Sequence, residues 1–188
     1  MNQKAIKAVT DFLTAEGIDL KAAGMDKTPE RVVAMYEYMF SGVGRSTDDM
    51  WGELIKADSD GMVAVKDIPF YSMCEHHLVP FFGRVSIVYK PQGGIIAGFS
   101  KFSQVVEIIS HRPQLQERMT EEIAQAVEQG LNTEGVLVIV EAQQLCMNMR
   151  KDKANGTKTI TTSCRGCLKQ DNHSYNQAWN MLGWNSIE

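Results

Sequence analysis

Four consecutive residues, Cys74-Glu75-His76-His77, bring a thiolate and two imidazoles together at what reads as the end of a strand, just before Pro80. A further sulfur, Cys146, lies far along the chain in a second strand-like run. A catalytic zinc needs about three protein ligands and one open position for water. Cys74, His77 and Cys146 would supply two sulfurs and one nitrogen, leaving His76 for proton transfer, work that suits an imidazole near neutral pH. The spacing also allows a different site. Cys164-Arg165-Gly166-Cys167 is a C-x-x-C pair that could join Cys74 and Cys146 in a closed four-cysteine structural site, and any one of these residues alone is more often a buried filler. Spacing does not choose between them.

The elements that must position these groups are readable from periodicity. Ile6, Val9, Phe12 and Leu13 recur at helical spacing from Asn2 to Glu16, with Gly17 as a stop. Thr28 reads as an N-cap with Pro29 at the first helical position, followed by an apolar stripe of Val32, Val33, Met35, Tyr36 and Met39. Gly44 to Gly61 is a mixed polar connector in which no chemistry is expected. From Met62 the chain turns β-branched and aromatic, giving antiparallel strands before and after the Cys-Glu-His-His run and another over Ile95 to Phe99. Two helices, 100–111 and 115–131, are separated by Pro113. Strand patterns return from Gly135 through Met149 and from Thr157 to Gly166, with a turn-rich hairpin connection over 151–156. The tail from Lys169, carrying Trp179, Leu182 and Trp184, reads as a docking helix or a subunit contact. The class is α+β, an N-terminal helical arm over residues 1–61 and, over 62–188, a sheet with helices packed on one face, the two together making one structural unit.

Composition narrows the partners. The chain has 188 residues, 44% hydrophobic, and a formal charge of −4, so nothing suggests general binding to nucleic acid or to a membrane surface. An anionic substrate would need a local group of cations. The N-terminus has no secretory pattern and no stretch is apolar enough to span a bilayer, so a cytoplasmic protein with reduced thiols is expected.

The run SMCEHHLVPFFG from Ser72 to Gly83 resembles the zinc-binding signature of the GTP cyclohydrolase I family. Gly98-Phe99-Ser100-Lys101, the run QERMT from Gln116 to Thr120, and EAQQLCMNMR from Glu141 to Arg150 resemble its successive motifs in order and spacing. Thr28-Pro29-Glu30-Arg31 resembles its N-terminal helix. The resemblance implies a tunnelling fold, an antiparallel four-stranded sheet backed by two helices, with barrels closed by oligomerisation into a homodecamer and active sites at subunit interfaces. It implies zinc on Cys74, His77 and Cys146, His76 as the proton-transfer group, and Glu117 anchoring guanine with Gln116 beside it. Ser100, Lys101, Arg150 and Arg31 would contact the triphosphate. The implied reaction is hydrolysis of the guanine ring at C8 of GTP, with release of formate and formation of 7,8-dihydroneopterin triphosphate.

The sequence departs from the family in places. Two residues before the second zinc cysteine the family has an acid-base histidine, and this chain has Gln144, which hydrogen-bonds but cannot shuttle a proton near pH 7. Ala34 and Gln104 stand where the family carries cations, and Arg165 is one candidate to make up the charge. Two alternatives follow: a paralogue that stops at the ring-opened formamide or takes a less phosphorylated purine, and a non-catalytic purine- or pterin-binding member. Retention of His76, Glu117, Ser100 and Lys101 argues against the second, because a structural zinc needs none of them.

Overall fold

The computed structural model describes residues 2–58, 61–149 and 156–183. The chain forms two compact units, one ending at Ser41 and the other beginning at Gly42. The first holds helices α1 (Gln3–Ala15) and α2 (Thr28–Met39). Asn2 caps α1 by accepting hydrogen bonds from the amides of Lys4 and Ala5, which would otherwise lack partners. Thr28 is the first residue of α2 rather than its cap; Lys27 occupies the cap position and makes no side-chain cap bond. Pro29 in the first turn needs no amide partner, so the helix starts without one.

In the second unit β1 (Ile55–Lys56), β2 (Val63–Cys74), β3 (Pro80–Lys90) and β4 (Ile95–Ile96) are followed by α3 (Ser100–Ser110), β5 (Pro113–Gln114) and α4 (Gln116–Leu131). Then come β6 (Gly135–Gln144), α5 (Leu145–Asn148), β7 (Thr159–Gly166), α6 (Cys167–Gln170) and α7 (Asn172–Met181). The four long strands pair antiparallel in the order β2-β3-β6-β7, and the short β5 adds in parallel beside β2. The four-stranded antiparallel core is as expected. The run from Ile95 does not join it: Ile95 and Ile96 pair with Lys56 and Ile55 in a separate ribbon.

Alternation along the strands decides what covers each face. Val85, Ile87, Tyr89, Val136, Val138 and Val140 point into the core beneath α3 and α4, with Phe102, Val105, Ile109, Met119, Ile123 and Val127 opposite them. Their neighbours Val88, Leu137 and Ile139 face the other way and pack on Leu168, Ala178 and Leu182. The C-terminal helix is therefore docked on the second face of the sheet. Asp171 caps it, its carboxylate accepting from the amides of His173 and Ser174. The hairpin connection expected over 151–156 and Trp184 fall outside the described residues except for Gly156.

A candidate metal centre at the end of the sheet

Cys74 is the last residue of β2, and the chain reverses directly after it. The Cys74 carbonyl accepts from the amides of His77 (3.3 Å) and Leu78 (2.8 Å), and the Cys74 amide donates to the Val79 carbonyl at 2.9 Å. The turn holds Leu78 in left-handed backbone, φ +50°. On the outer side Cys74 pairs with Gln114, whose carbonyl also accepts from the Glu75 amide at 3.1 Å.

Cys146 reaches the same place by another route. The strand expected through Met149 ends at Gln144, and Cys146 sits in the one-turn helix α5. The register pairs Gln144 with Phe81, so the next partner along β3 would be Pro80, which has no amide hydrogen to continue the ladder. Leu145, Cys146 and Met147 close a helical turn instead.

The ligand atoms of Cys74, His77 and Cys146 all lie within 4.8 Å of one another, and Cys74 Sγ is 3.9 Å from His77 Nδ1. A tetrahedral zinc with its usual sulfur and nitrogen bond lengths sets neighbouring ligand atoms roughly 3.5–3.8 Å apart. Two sulfurs and one nitrogen at these separations fit that ion and leave a fourth position. The closed four-cysteine alternative does not hold, since Cys164 and Cys167 pack on the second core cluster with Leu168 and Ala178. Burial, with Cys167 nearby, pushes the Cys164 thiol up, which makes it a poor thiolate.

Charged and amide groups hold the turn after Cys74 against α4. Glu75 pairs with Arg118, whose Nε also donates to Gln114 Oε1 at 2.9 Å. Gln114 in turn donates to the Ile109 carbonyl (3.0 Å) and to Glu122 (2.8 Å). His76 Nε2 lies 4.0 Å from the other Glu75 oxygen, and both His76 and His77 are exposed.

Gln116 is 4% exposed, and its amide is fully used by the protein. It donates to the carbonyls of Val140 (3.0 Å) and Thr159 (3.1 Å), and its oxygen accepts from Gln144 Nε2 (2.7 Å) and the Thr159 hydroxyl (2.5 Å). Two donors and two acceptor positions are all a glutamine side chain has. The residue expected beside guanine is thus a brace between α4, β6 and β7, and sequence reasoning missed this because its partners lie 24 to 43 residues away. Glu117, next to it in the first turn of α4, is exposed.

Ser100 and Lys101 open α3, with Ser100 exposed. Arg31 is an exposed residue of α2 in the first unit, and Arg150 falls outside the described residues. Arg165 is not available to replace missing cations. It is ion-paired with Glu121 and with Glu128, the latter at 2.9 Å. The Ser163 hydroxyl, with Arg165, holds the Glu121 carboxyl below the usual carboxylate range.

An α+β protein with an open Cys-His-Cys cluster at the end of its sheet is the class this geometry defines. The sequence profile of GTP cyclohydrolase I matches residues 5–183. A protein named GTP cyclohydrolase 1 from Streptococcus agalactiae serotype V is 44% identical over 180 residues, covering 96% of each chain. One of the same name from Streptococcus thermophilus is 47% identical over 169 residues, 90% of each chain. Among solved structures, the apo crystal structure of the archaeosine synthase QueF-Like aligns with a TM-score of 0.47 at 21% identity, over 58% of this chain and 97% of that one. This chain belongs to the GTP cyclohydrolase I family, and its α+β architecture is that family's tunnelling fold.

Proposed function

We propose that this chain hydrolyses the imidazole ring of GTP at C8, releasing formate and yielding 7,8-dihydroneopterin triphosphate, with zinc held by Cys74, His77 and Cys146. The observation that carries the reading is the convergence of those three ligand atoms within 4.8 Å in a chain of this family. Zinc bound there supplies a Lewis acid that makes water a nucleophile at neutral pH. The chain's own residues do the rest. Glu117, exposed at the start of α4, accepts hydrogen bonds from the guanine N–H groups and fixes the base. His76, exposed beside the cluster, protonates a ring nitrogen as C8 takes up water.

Ser100 and Lys101 hold the triphosphate from the start of α3, and Arg31 and Arg150 are assigned to it by the family resemblance. Gln116 and Gln144 act by position rather than by proton transfer, because the 2.7 Å bond between them joins α4 to the end of β6. His76, His77, Ser100 and Glu117 all stand exposed, which supports a site completed by another copy of the chain, as in a decamer. A cytoplasmic setting accords with four cysteines that form no disulfide.

The test is a time course of the zinc-loaded protein with GTP, GMP and guanosine, following formate and identifying products by mass spectrometry. Formate with dihydroneopterin triphosphate from GTP is expected. A formamide end product, turnover confined to the less phosphorylated substrates, or no turnover would each reject the proposed reaction.

A further inference from the structure

Part of the connector that begins at Gly44, in which the sequence suggests no chemistry, runs against the start of α3 through Trp51 and Gly52. Trp51 is 4% exposed and stands edge-on to Phe102, ring centroids 5.3 Å apart at 76°. Its indole fills a notch at Gly130, where an added Cβ would lie 1.6 Å from Trp51 Nε1. Just beyond it, Ile55 pairs with Ile96, and the Ala57 amide donates to the Gly94 carbonyl at 2.8 Å. The chain is thus fastened on both sides of Gly52. Gly52 itself has φ +64°, and a Cβ there would meet Cε and Nζ of Lys101 at 3.3 Å.

We infer that Gly52, clamped by Trp51, is a positioning residue that lays the Lys101 ammonium in place and so sets the site's affinity for the phosphates of its ligand. A lysine gripping an anion loses rotamer freedom, and a side chain already laid along bare backbone loses less. A methyl at 3.3 Å is tighter than ordinary contact and moves the ammonium end away from that position. The inference rests on the reading of Lys101 as a phosphate ligand.

The experiment compares zinc-loaded wild type with Gly52→Ala, Gly52→Asn, Gly93→Ala and Lys101→Ala, measuring kcat and KM with GTP and equilibrium binding of GTP and of guanosine. Gly93 is the control: its φ is +60° in the neighbouring turn, and a Cβ there meets nothing within 4 Å. Gly52→Asn keeps the test usable if the alanine variant folds poorly, because asparagine tolerates left-handed backbone. Both Gly52 variants are expected to raise KM for GTP roughly five- to tenfold with kcat within about twofold, weakening GTP but not guanosine binding. Gly93→Ala is expected to match wild type. Unchanged GTP binding in the Gly52 variants, an equal loss in Gly93→Ala, or an equal loss for guanosine overturns the inference while leaving Lys101 as a phosphate ligand. Unchanged GTP binding in Lys101→Ala overturns the phosphate reading, and the inference falls with it.

Discussion

Gln144 donates an amide hydrogen to Gln116 Oε1 at 2.7 Å, so the residue that stands where the family resemblance places a histidine ties the end of β6 to the start of α4. That bond lies between the element leading to Cys146 and the helix carrying Glu117. Replacing Gln116 by Met keeps most of its volume but removes its bonds to the Val140 and Thr159 carbonyls and to the amide of Gln144. Gln116→Met should cost about 2–4 kcal/mol in denaturant unfolding, the scale for losing several buried hydrogen bonds at once. A loss below about 0.5 kcal/mol would show that the brace contributes nothing.

Gln144→His puts an imidazole back beside the site. If Gln144 acts through position alone, the product with GTP stays the same and the rate changes by less than about tenfold. A switch of end product from formamide to dihydroneopterin triphosphate in the variant would mean that the native chain lacks a needed acid-base group at this position.

Arg118 bonds Glu75 and Gln114 together and thereby docks the turn after Cys74. Arg118→Ala should lower kcat roughly tenfold by loosening the turn that carries His76, and cost about 1–3 kcal/mol of stability, because the buried Gln114 oxygen loses its donor while the partly solvated pair with Glu75 adds little. Lysine has no fork to span both partners, so Arg118→Lys should not restore kcat. Recovery of full activity by lysine would mean that only the charge matters.

Burial holds His111 below the usual histidine pKa, with Glu107 opposing that shift. The folded state therefore disfavours protonation, and the unfolded chain binds the extra proton first. The associated stability is complete above the unfolded pKa of about 6.5 and is lost as pH falls from there through the folded value. Melting temperatures from pH 8 to 5 should drop more steeply for wild type than for His111→Gln; parallel curves would remove His111 as the cause.

Much of the site is legible in the sequence because its donors are chemically distinctive: Cys74 and His77 lie three residues apart, and Cys146 is one of four cysteines. The placement of Cys146 was not legible, since Pro80 ends the ladder only once the β3–β6 register is known. The braces were hidden for a related reason. Gln116 looks like an ordinary surface amide until strands distant in sequence bring carbonyls to it, and Gln114 until the end of α3 and the side chain of Glu122 close on it. Trp51 sits in a polar stretch without periodicity, and its partners Phe102 and Gly130 lie on two separate helices. The helices α3 and α4 were readable from apolar spacing, which burial in one core enforces. The β5 addition and the β1–β4 ribbon, two residues per strand, are too short to leave a pattern.

On the proposed function, formate release depends on zinc held by the Cys74–His77–Cys146 cluster. The most direct test is a zinc titration of metal-stripped protein, recording bound zinc and formate released from GTP in the same samples, with Cys146→Ala alongside. Formate release is expected to rise in proportion to bound zinc and to saturate at about one ion per chain, with both lost in the variant. Formate release at full rate from zinc-free protein, or unaltered zinc binding in Cys146→Ala, would contradict it.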